Sequence, residues 1–325
     1  MDRLWRLQTN TDNKIKESRV EVGTYCVKHG VLAVGWSLND KHLEDSIPED
    51  KWPEAKKKRA DITSFDDFKS FVYEYHMYHG KVNSSVRRLV DTVETDDLIW
   101  LRQNGVYYLG RITEKSHWFY DSSEAVLRMD ASNQVSDVEW LRVGDESSVP
   151  GAITTSMIRG RTLQIIHKDG MLDFSKLLYN SMTGKTHYKA TLTFDASLFY
   201  NLLSTEDCED LLCMWLYHKY GYIAIPSTNK KSTPLYECVL IDPQNGRHIY
   251  PQAKAGGEDL RVSDYEHLDG EAWLFTTKGH IIGAPTDRIR AAEPKELFDF
   301  ISTPQAKTIL PNSILKWYSF LEQYK

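Results

Sequence analysis

The chain has 325 residues, 41% apolar and 26% charged, a balance that fits a folded protein with sizeable cores and excludes a disordered chain. A net charge of −6 and a pI near 6.0 exclude a protein coated in positive charge, so any contact with nucleic acid has to use a local patch. The four cysteines, Cys26, Cys208, Cys213 and Cys238, contain no Cys-x-x-Cys pair, which argues against a zinc site of the usual spacing and suits reduced core thiols of a cytoplasmic protein.

No apolar run is long enough to serve as a signal peptide or to span a membrane, and no internal repeat stands out. Residues 4–8 read as a strand, and residues 31–36 as a buried strand after the turn at Lys28-His29-Gly30. Residues 39–61 are polar, with two prolines and the basic run Lys56-Lys57-Lys58-Arg59, and read as a long surface excursion. Ser64 caps a helix with Phe65, Phe68, Phe71, Val72 and Tyr75 on one side, and a second helix spans 83–90. Two strands, 98–102 and 106–112, flank Gln103-Asn104-Gly105, a strong hairpin signal because Asn and Gly tolerate positive φ. Residues 118–120 and 135–141 read as two more strands, and the order of strand, helices and curled strands predicts a small open barrel. Thr183-Gly184-Lys185-Thr186 resembles the tail of a phosphate-binding loop, but the upstream glycine is missing, so it is no ATP site.

The second half turns on residues 204–254. Ser204 is a good N-cap for a helix, Glu206 and Asp207 favour its positive end, and Leu211, Leu212, Trp215 and Leu216 recur at helical spacing. Residues 236–241 read as a strand, Pro243-Gln244-Asn245-Gly246 as a turn and residues 248–254 as a second strand. Gln252 and Lys254 then share one face of that strand, and the preceding strand can place Glu237 beside them. Carboxylate and amide oxygens suit Mg²⁺, and a lysine can stabilise charge developing on a phosphate. Residues 271–275 and 280–283 read as further core strands, and helices over 296–301 and 314–323 follow.

The order Ser204, Glu209 in a helix, Glu237 on a strand and Gln252-Ala253-Lys254 ending the next strand resembles the Mrr-like PD-(D/E)xK restriction endonucleases. The resemblance covers about residues 203–275, departs at Glu237, where many relatives carry Asp, and leaves Asp242 as a rival. It implies Glu209, Glu237, Gln252 and Lys254 as the catalytic set, with Glu237 and Gln252 holding Mg²⁺ or Mn²⁺ and Glu209 completing the site or orienting the lysine. In the first half, the run from Gly30 to Trp36, the 108–112 strand and Val138-Glu139-Trp140-Leu141 resemble the EVE/PUA-like barrels that read modified bases. Trp36, Trp118, Tyr120 and Asn83 are the expected base-pocket residues; Trp36, Trp118 and Tyr120 also suit an ordinary barrel core.

Together the resemblances imply a two-domain α+β / α/β protein, with a PUA-like (EVE-type) barrel over 1–165, a linker over 166–189 and a restriction-endonuclease-like core over 190–325. The expected function is a modification-dependent, Mg²⁺-requiring DNA endonuclease with a role in phage defence, acting on double-stranded DNA as a homodimer and having no membrane partner. The alternative is a non-catalytic reader whose nuclease scaffold is degenerate, and an RNA-directed nuclease stands as a third option.

Overall fold

The structure is a computed structural model that describes residues 2–9, 21–158, 160–230 and 235–324. It is a mixed α+β protein with several sheets, and the chain divides into two compact units. Unit 1 comprises Met1–Val149, Thr155–His167 and Met171–Ala190, and unit 2 comprises Pro150–Thr154, Lys168–Gly170 and Thr191–Lys325.

Unit 1 runs through β1 (Leu4–Leu7), α1 (Glu21–His29), β2 (Leu32–Val34), α2 (Asp40–Ser46), α3 (Trp52–Ala60), α4 (Phe65–Glu74) and α5 (Ser84–Asp91). It continues with β3 (Leu98–Gln103), β4 (Val106–Ile112), β5 (Trp118–Tyr120), α6 (Glu124–Met129), β6 (Asn133–Val135) and β7 (Val138–Gly144). After α7 (Gly151–Ser156), whose first residues belong to unit 2, come β8 (Leu163–Ile165) and α8 (Met171–Thr183). The main sheet has the order β7-β4-β3-β1-β8, with β1 parallel to β3 and the other neighbours antiparallel. Asn104 (φ 51°) and Gly105 (φ 75°) both sit in the left-handed region, the two-residue turn whose twist matches that of the flanking strands. A second sheet, β2-β6-β5, is separate from the first, and among the described residues neither closes on itself.

The expected barrel is therefore corrected to two open sheets. The single strand expected over 135–141 is two strands on different sheets, separated at Asp137, whose φ of 52° breaks the extended backbone. The polar excursion over 39–61 is ordered as α2 and α3, because its charges find partners. Lys56 pairs with Asp40 at 2.7 Å, Lys58 with Glu74 at 2.5 Å, and the buried Arg59 donates to the Leu38 carbonyl and to Asp40. Three of the four cations of the basic run are thus paired within their own unit. Two further basic pairs stand in the sequence as candidate patches, Arg87-Arg88 and Lys230-Lys231; Arg88 donates to the Leu163 carbonyl at 2.9 Å, and Lys231 lies outside the described residues. The stretch 166–189, expected as a linker with a helix over about 173–180, carries that helix as α8, which buries Met171, Phe174, Ser175 and Tyr179 and so belongs to a packed unit.

Unit 2 contains α9 (Ala196–Leu202), α10 (Thr205–Tyr220), β9 (Ile223–Ala224), β10 (Leu240–Ile241), β11 (His248–Lys254), β12 (Leu260–Arg261), β13 (Glu271–Thr276), β14 (Ile281–Ile282) and β15 (Ile289–Ala291). Three helices follow: α11 (Pro294–Ile301), α12 (Pro304–Ile309) and α13 (Asn312–Glu322). The sheet order is β15-β13-β11-β10-β9; β9, β10 and β11 form an antiparallel meander, and β13 and β15 continue in parallel. Residues 281–282 are not a core strand. They pair with β12 in a two-stranded ribbon, and Ile282 is exposed.

In unit 1 the edge of the main sheet is tied by a fully buried acid. Asp97 accepts from the Arg3 amide at 2.7 Å, the Trp5 indole at 2.7 Å and the Glu94 amide at 3.0 Å. Burial still pushes its carboxyl above the ordinary range. Replacing Asp97 with Ala strands three donors and is expected to cost about 3 kcal/mol. Urea unfolding should show a lower midpoint for Asp97→Ala.

Candidate active site

The site is assembled by α10 and the β10–β11 hairpin. Ser204 starts α10 through a reciprocal cap: its hydroxyl accepts from the Asp207 amide at 3.0 Å, and the Asp207 carboxylate accepts from the Ser204 amide at 3.0 Å. Gly221, with φ 74°, takes the left-handed conformation that closes the helix. Leu211, Leu212, Trp215 and Leu216 are buried, and Trp215 meets Trp273 of β13 edge-on at 5.4 Å. Hydrophobic burial thus fixes the helix against the sheet and sets where Glu209 can point.

The hairpin turn is built by Asp242, whose carboxylate accepts from the Gln244 amide at 2.9 Å and from Asn245 Nδ2 at 2.8 Å. Gly246 supplies the positive φ. Asp242 is therefore a turn residue at the far end of the hairpin. Leu240 pairs with Ile249 and Ile241 with His248, so the register extended back along the chain sets Glu237 against Gln252. Five residue steps separate Asp242 from Glu237, at most about 17 Å at about 3.3 Å per extended residue. That distance favours Glu237 over Asp242 as the site carboxylate. The expected strand over 236–241 is regular only at Leu240–Ile241, but the Glu237 amide still donates to the Pro251 carbonyl at 3.0 Å.

Three of the four expected catalytic residues meet directly. Gln252 is 1% exposed, and its Nε2 donates to Glu237 Oε1 at 2.5 Å and to the Ala253 carbonyl at 3.1 Å. Two acceptors therefore fix the amide orientation and leave Gln252 Oε1 buried with no donor. Glu209 faces Glu237 within hydrogen-bonding reach. Burial first, then the negative charges of Glu237 and Glu206, push the Glu209 carboxyl up from its ordinary value of 4.5 to about 7. Lys254 lies two positions beyond Gln252 on the same side of β11, half-buried, with its Nζ 3.7 Å from Glu258 Oε2.

These residues fit a divalent cation. Burial and the Glu237 charge hold Glu209 protonated up to about pH 7, and the buried Gln252 amide oxygen has no donor among the described residues; oxygen donors of this kind suit Mg²⁺ or Mn²⁺. Among the described residues no cluster of three or more His, Cys, Asp or Glu side chains could hold a metal ion, and the set here comprises two carboxyls and one amide oxygen. Sequence reasoning missed one neighbour: Cys213, one turn after Glu209, has its sulfur 3.7 Å from that of Cys238, the residue after Glu237. The i, i+4 spacing of Glu209 and Cys213 was the available signal.

Unit 1 has a separate cleft of about 260 Å³, lined in part by Val34, Gly35, Trp36, His42, Tyr78 and Asp130. Trp36 (φ 62°), Tyr78 (φ 51°) and Asp130 (φ 55°) are all held in the left-handed region, where non-glycine residues are strained. The Tyr78 hydroxyl donates to the Ser37 carbonyl at 2.6 Å and lies 3.0 Å from His42 Nδ1. Trp36 lines this cleft, whereas the other three expected pocket residues do not. Trp118 packs edge-on against Phe65 at 5.5 Å, Tyr120 is buried and accepts from the Leu38 amide at 2.9 Å, and Asn83 caps α5 through the Ser85 amide at 2.8 Å. Their apolar and capping roles explain why alternation along β5 was a poor guide to the cleft. Comparison with family models, curated proteins and solved structures returned no match to this chain. No helix among the described residues is long and apolar enough to cross a membrane.

Glu209 also makes a measurable contribution to stability. Its carboxyl keeps its proton to about pH 7 when folded and, at the ordinary value of 4.5, loses it earlier when unfolded. Between those values the folded state binds more protons, so this contribution is present in acid and is lost as pH rises through about 7. Urea titrations of the metal-free protein between ~pH 5 and ~pH 8 should show this fall, and Glu209→Gln should flatten it.

Proposed function

We propose that unit 2 is a divalent-metal-dependent nuclease of the PD-(D/E)xK type and that unit 1 directs it to nucleic acid carrying a modified base. The observation that carries the nuclease reading is the convergence of Glu209, Glu237 and the donor-less Gln252 Oε1 at one spot, with Lys254 next along the same strand face. The order of a capped helix, a strand pair and a lysine ending the second strand is also the order that the resemblance implies.

In this reading Glu209, Glu237 and Gln252 hold the cation. The bound metal supplies positive charge that stabilises the phosphoryl oxygens as negative charge builds on them. Loading requires Glu209 to give up its proton, so metal competes with protons at that carboxyl. Lys254 Nζ donates to a non-bridging phosphate oxygen or orients the attacking water, and Glu258 restrains the ammonium without burying it. One such centre cuts one strand, so a double-strand break takes two copies, most simply a symmetric homodimer on double-stranded DNA.

For unit 1 the support is narrower. A cleft walled by Trp36 and Tyr78, both held in strained backbone, offers aromatic faces to a flat ring. Stacking on such a face contributes about 1–3 kcal/mol per base, which offsets part of the few kcal/mol needed to flip a base from a duplex. Modification-dependent restriction and phage defence are the role this combination serves.

Plasmid DNA incubated with Mg²⁺ should be cut, and chelator should abolish cutting. Lys254→Ala should lower the cleavage rate by about 10²–10³ while the fold persists. A folded Lys254→Ala protein with wild-type cutting would falsify the lysine's role. A gel shift without any cutting by the wild type would leave the reader alone. Matched DNAs with different cytosine or adenine modifications should be discriminated by the wild type, and Trp36→Ala should lose that preference while keeping metal-dependent cutting. Trp118→Ala and Tyr120→Ala should instead lower the thermal midpoint of unit 1.

A further inference from the structure

Cys213 and Cys238 sit where a change in their bonding would be felt by the candidate metal site. Cys213 follows Glu209 by one helical turn on α10, and Cys238 follows Glu237 in the chain. Their sulfurs are 3.7 Å apart, in S–H···S contact, and Cys238 is buried. Cys26 and Cys208 are fully buried, and neither has a thiol partner among the described residues.

We propose that Cys213 and Cys238 form a thiol–disulfide switch that turns the Glu209–Glu237–Gln252 site off when oxidised. The control rests on the nuclease reading above, whereas the thiol chemistry does not. A hydroperoxide is the oxidant. One thiolate of the pair attacks a peroxide oxygen, the O–O bond breaks, and a sulfenic acid forms as hydroxide leaves. The second thiolate then attacks the sulfenic sulfur, the S–S bond forms, and the sulfenic oxygen leaves as hydroxide. The two protons given up by the thiols convert both hydroxides to water, so two thiols and hydrogen peroxide yield one disulfide and two waters.

The geometry explains why the metal site would respond. A disulfide needs the sulfurs about 2.05 Å apart, so the present 3.7 Å contact must shorten. The shift draws α10 toward the strand segment carrying Glu237 and changes the gap between Glu209 and Glu237. Disturbing the groups that orient metal ligands typically costs about 10–100-fold in metal affinity, and a cross-link beside both carboxylates is expected to act on that scale. A cytoplasmic disulfide of this kind is transient and sensing, and cellular thiol reductants reverse it.

The test uses the full chain, oxidised with hydrogen peroxide and then reduced with dithiothreitol, alongside Cys213→Ser and Cys238→Ser. Peptide mapping without reduction reads the cross-link, and Mn²⁺ titration reads the metal site. The expected result is a Cys213–Cys238 disulfide, Mn²⁺ affinity lowered about 10–100-fold in the oxidised wild type, recovery on reduction, and no response in either serine variant. Failure of the disulfide to form overturns the switch, whether or not Mn²⁺ binds. A disulfide that leaves Mn²⁺ affinity unchanged overturns the switch and leaves the nuclease reading standing. Absence of Mn²⁺ binding to the reduced wild type overturns the nuclease reading and the control with it, while the mapped disulfide would still report the thiol chemistry.

Discussion

Two carboxyls pressed together beside a buried amide set the character of unit 2. Left alone, Glu209 and Glu237 repel, and the cluster is relieved only by a proton, which Glu209 keeps up to about pH 7. The Gln252 amide satisfies Glu237 with its nitrogen and leaves its own oxygen without a donor among the described residues. A fold that carried this arrangement for stability alone would be poorly served, since buried unsatisfied groups and like charges both cost free energy. A cation would resolve both deficits at once. The hydrophobic contacts around it, Trp215 on Trp273 and the buried leucines of α10, hold the helix in place.

Unit 1 uses its rigidity differently. Its sheet is locked by Asp97 and by a tight hairpin, and Lys56, Lys58 and Arg59 are spent on carboxylates of the same unit. What remains distinctive is local: three non-glycine residues in left-handed conformations around one cleft. Strain of that kind persists only where the surrounding packing imposes it, and it gathers at binding sites more often than elsewhere.

Much of unit 2 was legible from residue order. Ser204 as a cap, the leucine and tryptophan spacing of α10, the Pro243–Gly246 turn and the pairing of Glu237 with Gln252 all follow from local rules of capping, periodicity and register. The sheet architecture of unit 1 was less legible, because left-handed residues such as Asp137 split an apparently continuous strand and period-2 alternation does not reveal which face meets a cleft. Trp118 and Tyr120 share spacing with a binding face but serve the packing of α4 and the loop at Leu38. The helices over 40–60 escaped notice because each buries little apolar surface, Leu43 in one and Ala55 in the other, and ion pairs add to what holds them. The i, i+4 spacing put Cys213 beside Glu209, but its contact with Cys238 joins α10 to a segment 25 residues further on, which spacing within the helix does not announce.

The most direct measurement is calorimetric titration of the metal-free protein with Mn²⁺ near pH 7, in buffers of different ionisation enthalpy, so that protons released per metal are counted. The account predicts that Mn²⁺ binds and displaces a fraction of a proton from Glu209, and that Gln252→Ala and Glu237→Ala weaken binding by about 10-fold or more. Absence of Mn²⁺ binding, or binding unchanged by both substitutions, would contradict it.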